Sequence, residues 1–419
     1  MKRTFLSPSP LFSGTAAALL LMCAAQVFGA EFTVKPKITV SEEYTDNVFD
    51  DRSNRTDYIT RTQPGLLLKY SAPLWDWNLD YAYDYRYYAR GSRTQDTTQD
   101  INGSGLIKII DEKLFLEVSD VYRRVALNIA RDTTNESLSV QQTDQNVGSV
   151  SPYLVLHPVT QLTLKAGYRY LNTWYKDPSA VSKQDHVGFV NSSYELSPTL
   201  SLTGDYSFTR ELPVKNVAFY RQEAYLGPRF EYADKSFLFA KGGVISTDYD
   251  NGNYVINPSW SAGLTHVLGT ITLNLSAGTS YSDDPLGGSI LQTTYGGSLV
   301  KTLPRGSVTV LGSYSKLSTE FSGVNDVRQS NNTWSGSLSG IYELMQDLRG
   351  NLGLNYQNYH DLVFGSRTNR YFVDSGLNYD FGKELTAGIY YKYSDYSSAE
   401  LVADNRRINR VIFEVKKVF

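Results

Sequence analysis

The sequence predicts an all-β chain: one antiparallel β-barrel crossing an outer membrane on about twenty strands, with eighteen as the alternative. Three observations predict it. Apolar and polar residues alternate with period two over unusually long runs. Tight turns and longer polar breaks separate those runs by turns. The chain ends in mid-pattern on an aromatic residue, RVIFEVKKVF, where a polar stub is ordinary.

The N-terminal end gives a compartment. Lys2 and Arg3 precede a short apolar run from Ala16 to Met22, followed by Ala24 and Ala25, with small residues at Gly29 and Ala30. This reads as a secretory signal peptide over residues 1–30, leaving residues 31–419 as the barrel. Cys23 is the chain's only cysteine and lies inside that segment; the large Met22 before it argues against a lipoprotein. The exported chain then has no disulfide, thiol nucleophile or thiolate metal site.

Composition narrows the class. Lys plus Arg number 40 against 43 Asp plus Glu, a balance that argues against nucleic acid as a partner. Mean hydropathy is -0.33, and no later apolar run is long enough for a membrane helix. A barrel tolerates such a value, because half of each strand faces a wet lumen. The 32 Tyr and 5 Trp suit interfacial belts.

The strands follow from the alternation. In WDWNLDYAYDY, Trp75, Trp77, Leu79, Tyr81, Tyr83 and Tyr85 alternate with Asp76, Asn78, Asp80, Ala82 and Asp84. Residues 161–170 and 270–281 follow the same rule. Tight turns fall near 72–74, 111–112, 157–160, 196–199, 233–235, 268–269, 302–305, 345–347 and 381–383. Longer breaks lie between them, the longest near 130–142. Nine short turns separate ten hairpins, with both chain ends on the short-turn side, as in bacterial barrels with short periplasmic turns. Trp75 and Trp77 are placed at the periplasmic belt and Trp174 at the outer one. The terminal strand, with Val411, Phe413, Val415 and Phe419 on one face, is expected to pair with residues 33–48 and close the sheet. Phe413 and Phe419 are thus the closure and assembly candidates. A last strand ending in Phe resembles the signal read by barrel assembly machinery, which that resemblance implies as a partner alongside outer-membrane lipid and lipopolysaccharide.

The opening hairpin carries a second resemblance. YTDNVF, residues 44–49, and DYITR with Pro64-Gly65, residues 57–65, are similar to the first hairpin of outer-membrane β-barrel proteins of the exopolysaccharide and PEP-CTERM (exosortase) associated type. The similarity implies a barrel connected with exopolysaccharide export or assembly, with polysaccharide export components as partners; it brings no catalytic residues. By their own chemistry, Asp46 and Asn47 are expected to cap the first turn, and Pro64 to force a bulge or bend.

Few segments carry residues suited to chemistry. His157, His186, His266 and His360 lie near strand ends, at no metal-ligand spacing. No GxSxG segment is present. Residues 248–253, DYDNGN, have calcium-loop composition without the distal Glu, and read better as a hairpin turn. The expectation is a non-enzyme with neither metal nor cofactor. Charges that alternate with the aromatics would be costly against lipid. Asp80, Asp84, Arg86, Lys165, Arg169, Asp205, Arg221, Glu223 and Lys392 are therefore the lumen-lining candidates. Their mixed sign suits a weakly charged substrate or a salt-bridge lattice. With no plug domain expected and no long inward-folding loop, the leading reading is a channel assisting exopolysaccharide export. A general diffusion porin and a scaffold sheathing a partner such as a cytochrome are the alternatives.

Overall fold

The computed structural model describes residues 30–127, 142–283, 285–286, 289–321, 330–401 and 405–419. The expected signal segment with Cys23, and most of the longest break, lie outside them. The described residues form twenty strands and no helix. The first ten are β1 (Glu31–Thr45), β2 (Asp57–Ala72), β3 (Trp75–Tyr88), β4 (Asp96–Ile110), β5 (Leu114–Ala126), β6 (Gln142–Val159), β7 (Leu162–Tyr175), β8 (Lys183–Ser197), β9 (Leu200–Pro213) and β10 (Phe219–Ala233). The others are β11 (Ser236–Tyr249), β12 (Tyr254–Leu268), β13 (Ile271–Asp283), β14 (Ser289–Leu303), β15 (Gly306–Phe321), β16 (Ser330–Met345), β17 (Leu348–Asp361), β18 (Arg367–Asp380), β19 (Leu385–Ser398) and β20 (Arg406–Val418).

Each strand pairs antiparallel with its neighbours in the chain, and β20 returns to β1, so the sheet is closed. The closing ladder runs from Lys37 opposite Val418 to Thr45 opposite Arg410. The Phe419 N–H adds a bond to the Pro36 carbonyl at 2.8 Å. The expected pairing of the last strand with residues 33–48 is the observed one.

All nine expected short turns are present, at residues 73–74, 111–113, 160–161, 198–199, 234–235, 269–270, 304–305, 346–347 and 381–384. Several turn through a left-handed residue that is not glycine: Glu112, Lys235, Asp347, Lys383 and Glu384 all have φ between 51° and 69°. Beside five of the nine short turns the register slips, as at Lys108/Ile110 and Glu231/Ala233, and three of those five turn through Glu112, Lys235 or Asp347. A bulge paired with a left-handed turn residue matches the hairpin to the strand twist.

The bulge expected at Pro64 is absent. The β2–β3 ladder passes from Thr62–Tyr85 to Gly65–Ala82 with its register intact, skipping only Gln63 and Pro64. Pro152 and Pro228 do the same in β6–β7 and β10–β11. Proline deletes a donor without adding a residue, so the ladder opens locally but does not slip. Gly65 is required here: a Cβ would lie 2.3 Å from the Tyr81 carbonyl.

Burial separates the two faces. Towards the end of β3, Asp84, Arg86 and Tyr88 are buried while Tyr83 and Tyr87 are exposed, so the even residues face inward. The registers carry that assignment from strand to strand. Buried inner side chains concentrate in the half nearest the long connections. There Val48, in the first connection, packs inside the wall against Ile59, Tyr88 and Ile408, with Phe49 beside it.

Candidate functional site

The nine candidate side chains all fall on the inner face, and eight have neighbours there that can be named. Asp84 accepts two bonds from Arg61, at 2.8 and 2.7 Å, and one from Arg86 Nη2 at 2.8 Å. Arg61 and Arg86 stand directly opposite across β2–β3, so one carboxylate serves two guanidiniums. Asp80 pairs with Lys37. Asp205 accepts from Lys241 at 2.7 Å and from Asn191 at 2.8 Å. Lys165 sits over the Tyr153 ring at 3.8 Å, and Arg169 over Phe189 at 5.4 Å. Arg221 stacks on Phe219 and Tyr281, at 4.7 and 4.3 Å. Lys392 lies 3.9 Å from Asp374. Glu223 follows Arg221 by two residues on the same face.

The partners Arg61, Lys37, Lys241 and Asp374 escape a strand-by-strand reading. Each becomes visible once register is fixed, because it points inward with its partner, from the adjacent strand for Arg61 and Asp374 and from two strands away for Lys37 and Lys241.

The residues that carry the opening-hairpin resemblance cluster at the seam between the first and last strands. Asp46 accepts from the Asn409 backbone N–H at 2.8 Å and its Nδ2 at 2.7 Å. Asn47 donates to the Arg407 carbonyl at 3.1 Å. Asp57, fully buried, accepts from the N–H groups of Tyr58, Arg90 and Ser92, at 2.7, 2.8 and 3.2 Å. Glu43 faces Arg410 at 3.6 Å. The motif therefore builds the closure and one rim turn. Of the two expected Asx caps, Asn47 caps the first turn, its Oδ1 accepting from the Asp51 N–H at 3.2 Å, whereas the Asp46 carboxylate bonds Asn409 near the other end of the chain.

At the long-connection end the mouth is narrowed. Val181 N–H bonds the Pro285 carbonyl at 2.7 Å, linking the β7–β8 connection to the β13–β14 connection across the ends of β9–β12. Ala180 and Val181 are buried by it. A seven-residue connection, 176–182, reaches inward because Asp177 and Ser179 fold it into a tight Asx turn, with bonds of 2.8 and 2.6 Å.

The inner face is chemically divided. From β12 through β15, and along β16 as far as Ile341, it carries Ser, Thr, Asn, Gln and aliphatic side chains and, among the described residues, no ionised one. These groups bond to each other: Thr265 to Asn274 at 3.0 Å, Asn274 to Ser298 at 3.2 Å, Ser313 to Ser335 at 2.6 Å. Every charged candidate lies on the remaining strands.

The other motifs resolve structurally. The Asp250 carboxylate is held by Arg210 through two 2.7 Å bonds, and Gly252 makes the turn at φ 87°. His186 contacts the Tyr168 hydroxyl at 2.6 Å, and His266 that of Tyr232 at 2.9 Å. Among the described residues no group of three or more His, Cys, Asp or Glu side chains is placed to hold a metal ion. Trp75 and Trp174 are exposed on the outer face at opposite ends of their strands.

No family model matches the chain, and no curated protein does. Solved structures do. The FrpB iron transporter from Neisseria meningitidis (F3-3 variant) is similar with a TM-score of 0.54 and 9% identity, covering 92% of this chain and 82% of that one. The outer-membrane protein OmpT of Vibrio cholerae, lacking loop L8, aligns at 0.41 and 12% identity over 93% and 100%. Pseudomonas aeruginosa OccK5 (OpdH) aligns at 0.44 and 12% over 92% and 98%. At these identities the likeness is one of fold. The chain is a closed twenty-stranded β-barrel of the outer-membrane kind, and its place is the outer membrane.

Proposed function

We propose that the protein is an outer-membrane channel for hydrated, uncharged solutes. The observation that carries this reading is the neutral bank on β12–β16. Hydroxyl and amide groups there can exchange hydrogen bonds with sugars or with their water shells, and among the described residues of that bank, as far as Ile341, no fixed charge imposes selection by sign. The opposite bank is charged, yet its ions pair along the wall, as Asp84 does with Arg61 and Arg86, and project little net field. The barrel acts here as a passive conduit, and no chemistry on the solute is invoked.

The reading is tested by reconstituting the full chain in liposomes and comparing swelling in neutral oligosaccharides with swelling in charged solutes of matched size. Passage of the neutral sugars is expected. Their exclusion, combined with sharp ion selectivity, overturns it. Export of an exopolysaccharide is the narrower second reading, favoured by the similarity of residues 44–49 and 57–65 to barrels of that association. A hydroxyl-lined bank suits a polymer as well as a free sugar. Loss of surface polysaccharide in a deletion strain supports export; an unchanged surface leaves the diffusion channel. Absence of any conductance from folded protein argues for a scaffold around a partner.

A further inference from the structure

The wall is split between β12 and β13. Their ladder stops at Ser261–Gly278, although the strands continue to Tyr254 and Asp283. The flanking ladders do not stop: β11 pairs with β12 as far as Tyr254, and β13 with β14 as far as Asp283. Pro258 lies within the unpaired stretch and has no N–H to give. Side chains bridge the split instead. The Trp260 N–H bonds Thr279 Oγ1 at 3.0 Å, Ser259 meets Thr279 at 3.0 Å, and Asn257 Nδ2 donates to the Tyr281 hydroxyl at 2.6 Å.

Different chemistry lies on the two sides. Outside, directly below the split, is an apolar groove floored by Ala262 and Ala277 and walled by Leu264, Leu275 and Tyr295. Trp260 stands at its upper end, 5.9 Å from the Tyr295 ring. Inside, the Tyr225 hydroxyl contacts Ser259 at 3.0 Å, and Arg221 stacks on Tyr281.

We infer that the β12–β13 split is a side passage between membrane and lumen for a single-chain aliphatic carboxylate, with its tail in the groove and its head among Asn257, Tyr281 and Ser259. Lipid cannot satisfy an open strand edge, so a split that persists must be stoppered by its own side chains. Here the stopper is three side-chain links, which part without unzipping a ladder. The same groups offer N–H and O–H donors to an acceptor head, and such bonds strengthen when the acceptor is ionised. A second shortened ladder, β4–β5, makes the contrast: it stops at Ile101–Tyr122 and is filled by the ion cluster of Arg124, Asp96 and Asp144, which an acyl chain cannot enter.

The test uses the full chain in phosphatidylcholine vesicles with hexadecanoic acid carrying a diazirine either at the tail end or beside the carboxylate. Crosslinks are mapped by mass spectrometry. The tail probe is expected on Leu264, Leu275 or Tyr295, and the head probe on Tyr225 or Tyr281. In Ser259→Cys/Thr279→Cys, whose oxygens stand 3.0 Å apart in the native protein, oxidation is expected to abolish the head labelling and reduction to restore it. Labelling spread evenly around the barrel, or head labelling indifferent to the disulfide, overturns the inference. If the cysteine pair does not assemble, Asn257→Leu decides: it is expected to remove the preference for the acid over its methyl ester, and a preserved preference rejects the passage. Sugar swelling is read in parallel, so failure here is distinguishable from failure of the channel reading.

Discussion

Asp46 and Asn409, 363 residues apart in sequence, are joined by three hydrogen bonds: the Asp46 carboxylate accepts from the Asn409 backbone N–H at 2.8 Å and from its Nδ2 at 2.7 Å, and the Asp46 N–H donates to the Asn409 carbonyl at 3.2 Å. The pair sits where the first and last strands leave the closing ladder. That ladder is among the shortest in the barrel, nine residue pairs from Lys37 to Thr45, so each bond at its end carries an unusual share of closure. Asp46→Ala removes the two side-chain bonds and leaves the Asn409 backbone N–H and Nδ2 without that acceptor, at a cost of about 1–3 kcal/mol. The folded band in a heated, unreduced gel should convert at a lower temperature than wild type. Asp46→Asn, which keeps an acceptor for the backbone N–H, should fall between them.

Removing Phe419 probes the same seam from the chain's other end. Its N–H bonds Pro36 at 2.8 Å, while its ring stands exposed on the outer face with Phe413. The finished barrel should lose one terminal hydrogen bond, about 0.5–1.5 kcal/mol. If the last strand is the segment captured during insertion, as its resemblance to the assembly signal implies, insertion should suffer more. Outer-membrane fractionation of expressing cells checks this against thermal conversion of the purified barrel; equal insertion of both chains rejects it.

The barrel was legible in the sequence because period-two alternation is a direct imprint of a two-faced wall. Turn positions were equally legible, although turns at Glu112, Lys235 and Asp347 use a left-handed residue whose identity gives no warning. The closing partner followed from the logic of an edgeless sheet. What stayed hidden was pairwise. That Asp84 answers Arg61 depends on register between hairpins, and that Val181 reaches Pro285 depends on barrel curvature; neither is written in any one segment. Of the bulge or bend expected at Pro64, the bulge is absent, because a proline and an inserted residue disturb a ladder in ways that only the register distinguishes. The neutral bank was visible in principle as a run of strands whose polar parity lacks charge, once parity was followed past Tyr254.

Asp84 should be the most damaging single charge to remove. Its side chain is almost fully buried between Arg61 and Arg86, which face each other. Asp84→Asn removes the carboxylate that two facing guanidiniums share, with an expected loss of about 3–5 kcal/mol. Urea unfolding in lipid should show it as a lower midpoint. Adding Arg61→Gln should recover part of the loss, since the uncompensated repulsion is what costs; a double variant weaker than the additive sum contradicts the account.

The rim pair of Arg210 and Asp250 gives a pH dependence. The Arg210 hydrogen bonds hold the Asp250 carboxyl below its ordinary value of 3.8. A depressed folded value means that the pair's contribution is complete above the unfolded value and is lost as pH falls through the folded one. The β11–β12 turn, residues 250–253, should therefore keep its hydrogen-exchange protection from neutral pH down to about 4 and lose it below. Asp250→Asn should show weaker protection with no such step. The pair is exposed, so a salt titration should weaken it as well.

The division of the inner face makes a prediction about current. Ser335 lies in the neutral bank beside Ser313, and from Val255 to Ile341 no described inner side chain bears a charge that could answer a new carboxylate. A carboxylate placed there acts on ions crossing the lumen at about 0.4 kcal/mol for a separation of ~10 Å in water, roughly a twofold change in local cation concentration. Ser335→Asp should thus shift the reversal potential of a single channel under a salt gradient towards the cation value. Asp205→Asn offers the comparison. It removes a carboxylate already engaged by Lys241 and Asn191, in a bank where opposite charges alternate. Its effect on selectivity should be smaller and of opposite sign. Equal and opposite shifts from the two variants mean that the charged bank is not internally compensated. No shift from Ser335→Asp means that permeating ions do not pass along the neutral bank, and the solute path then follows the charged strands.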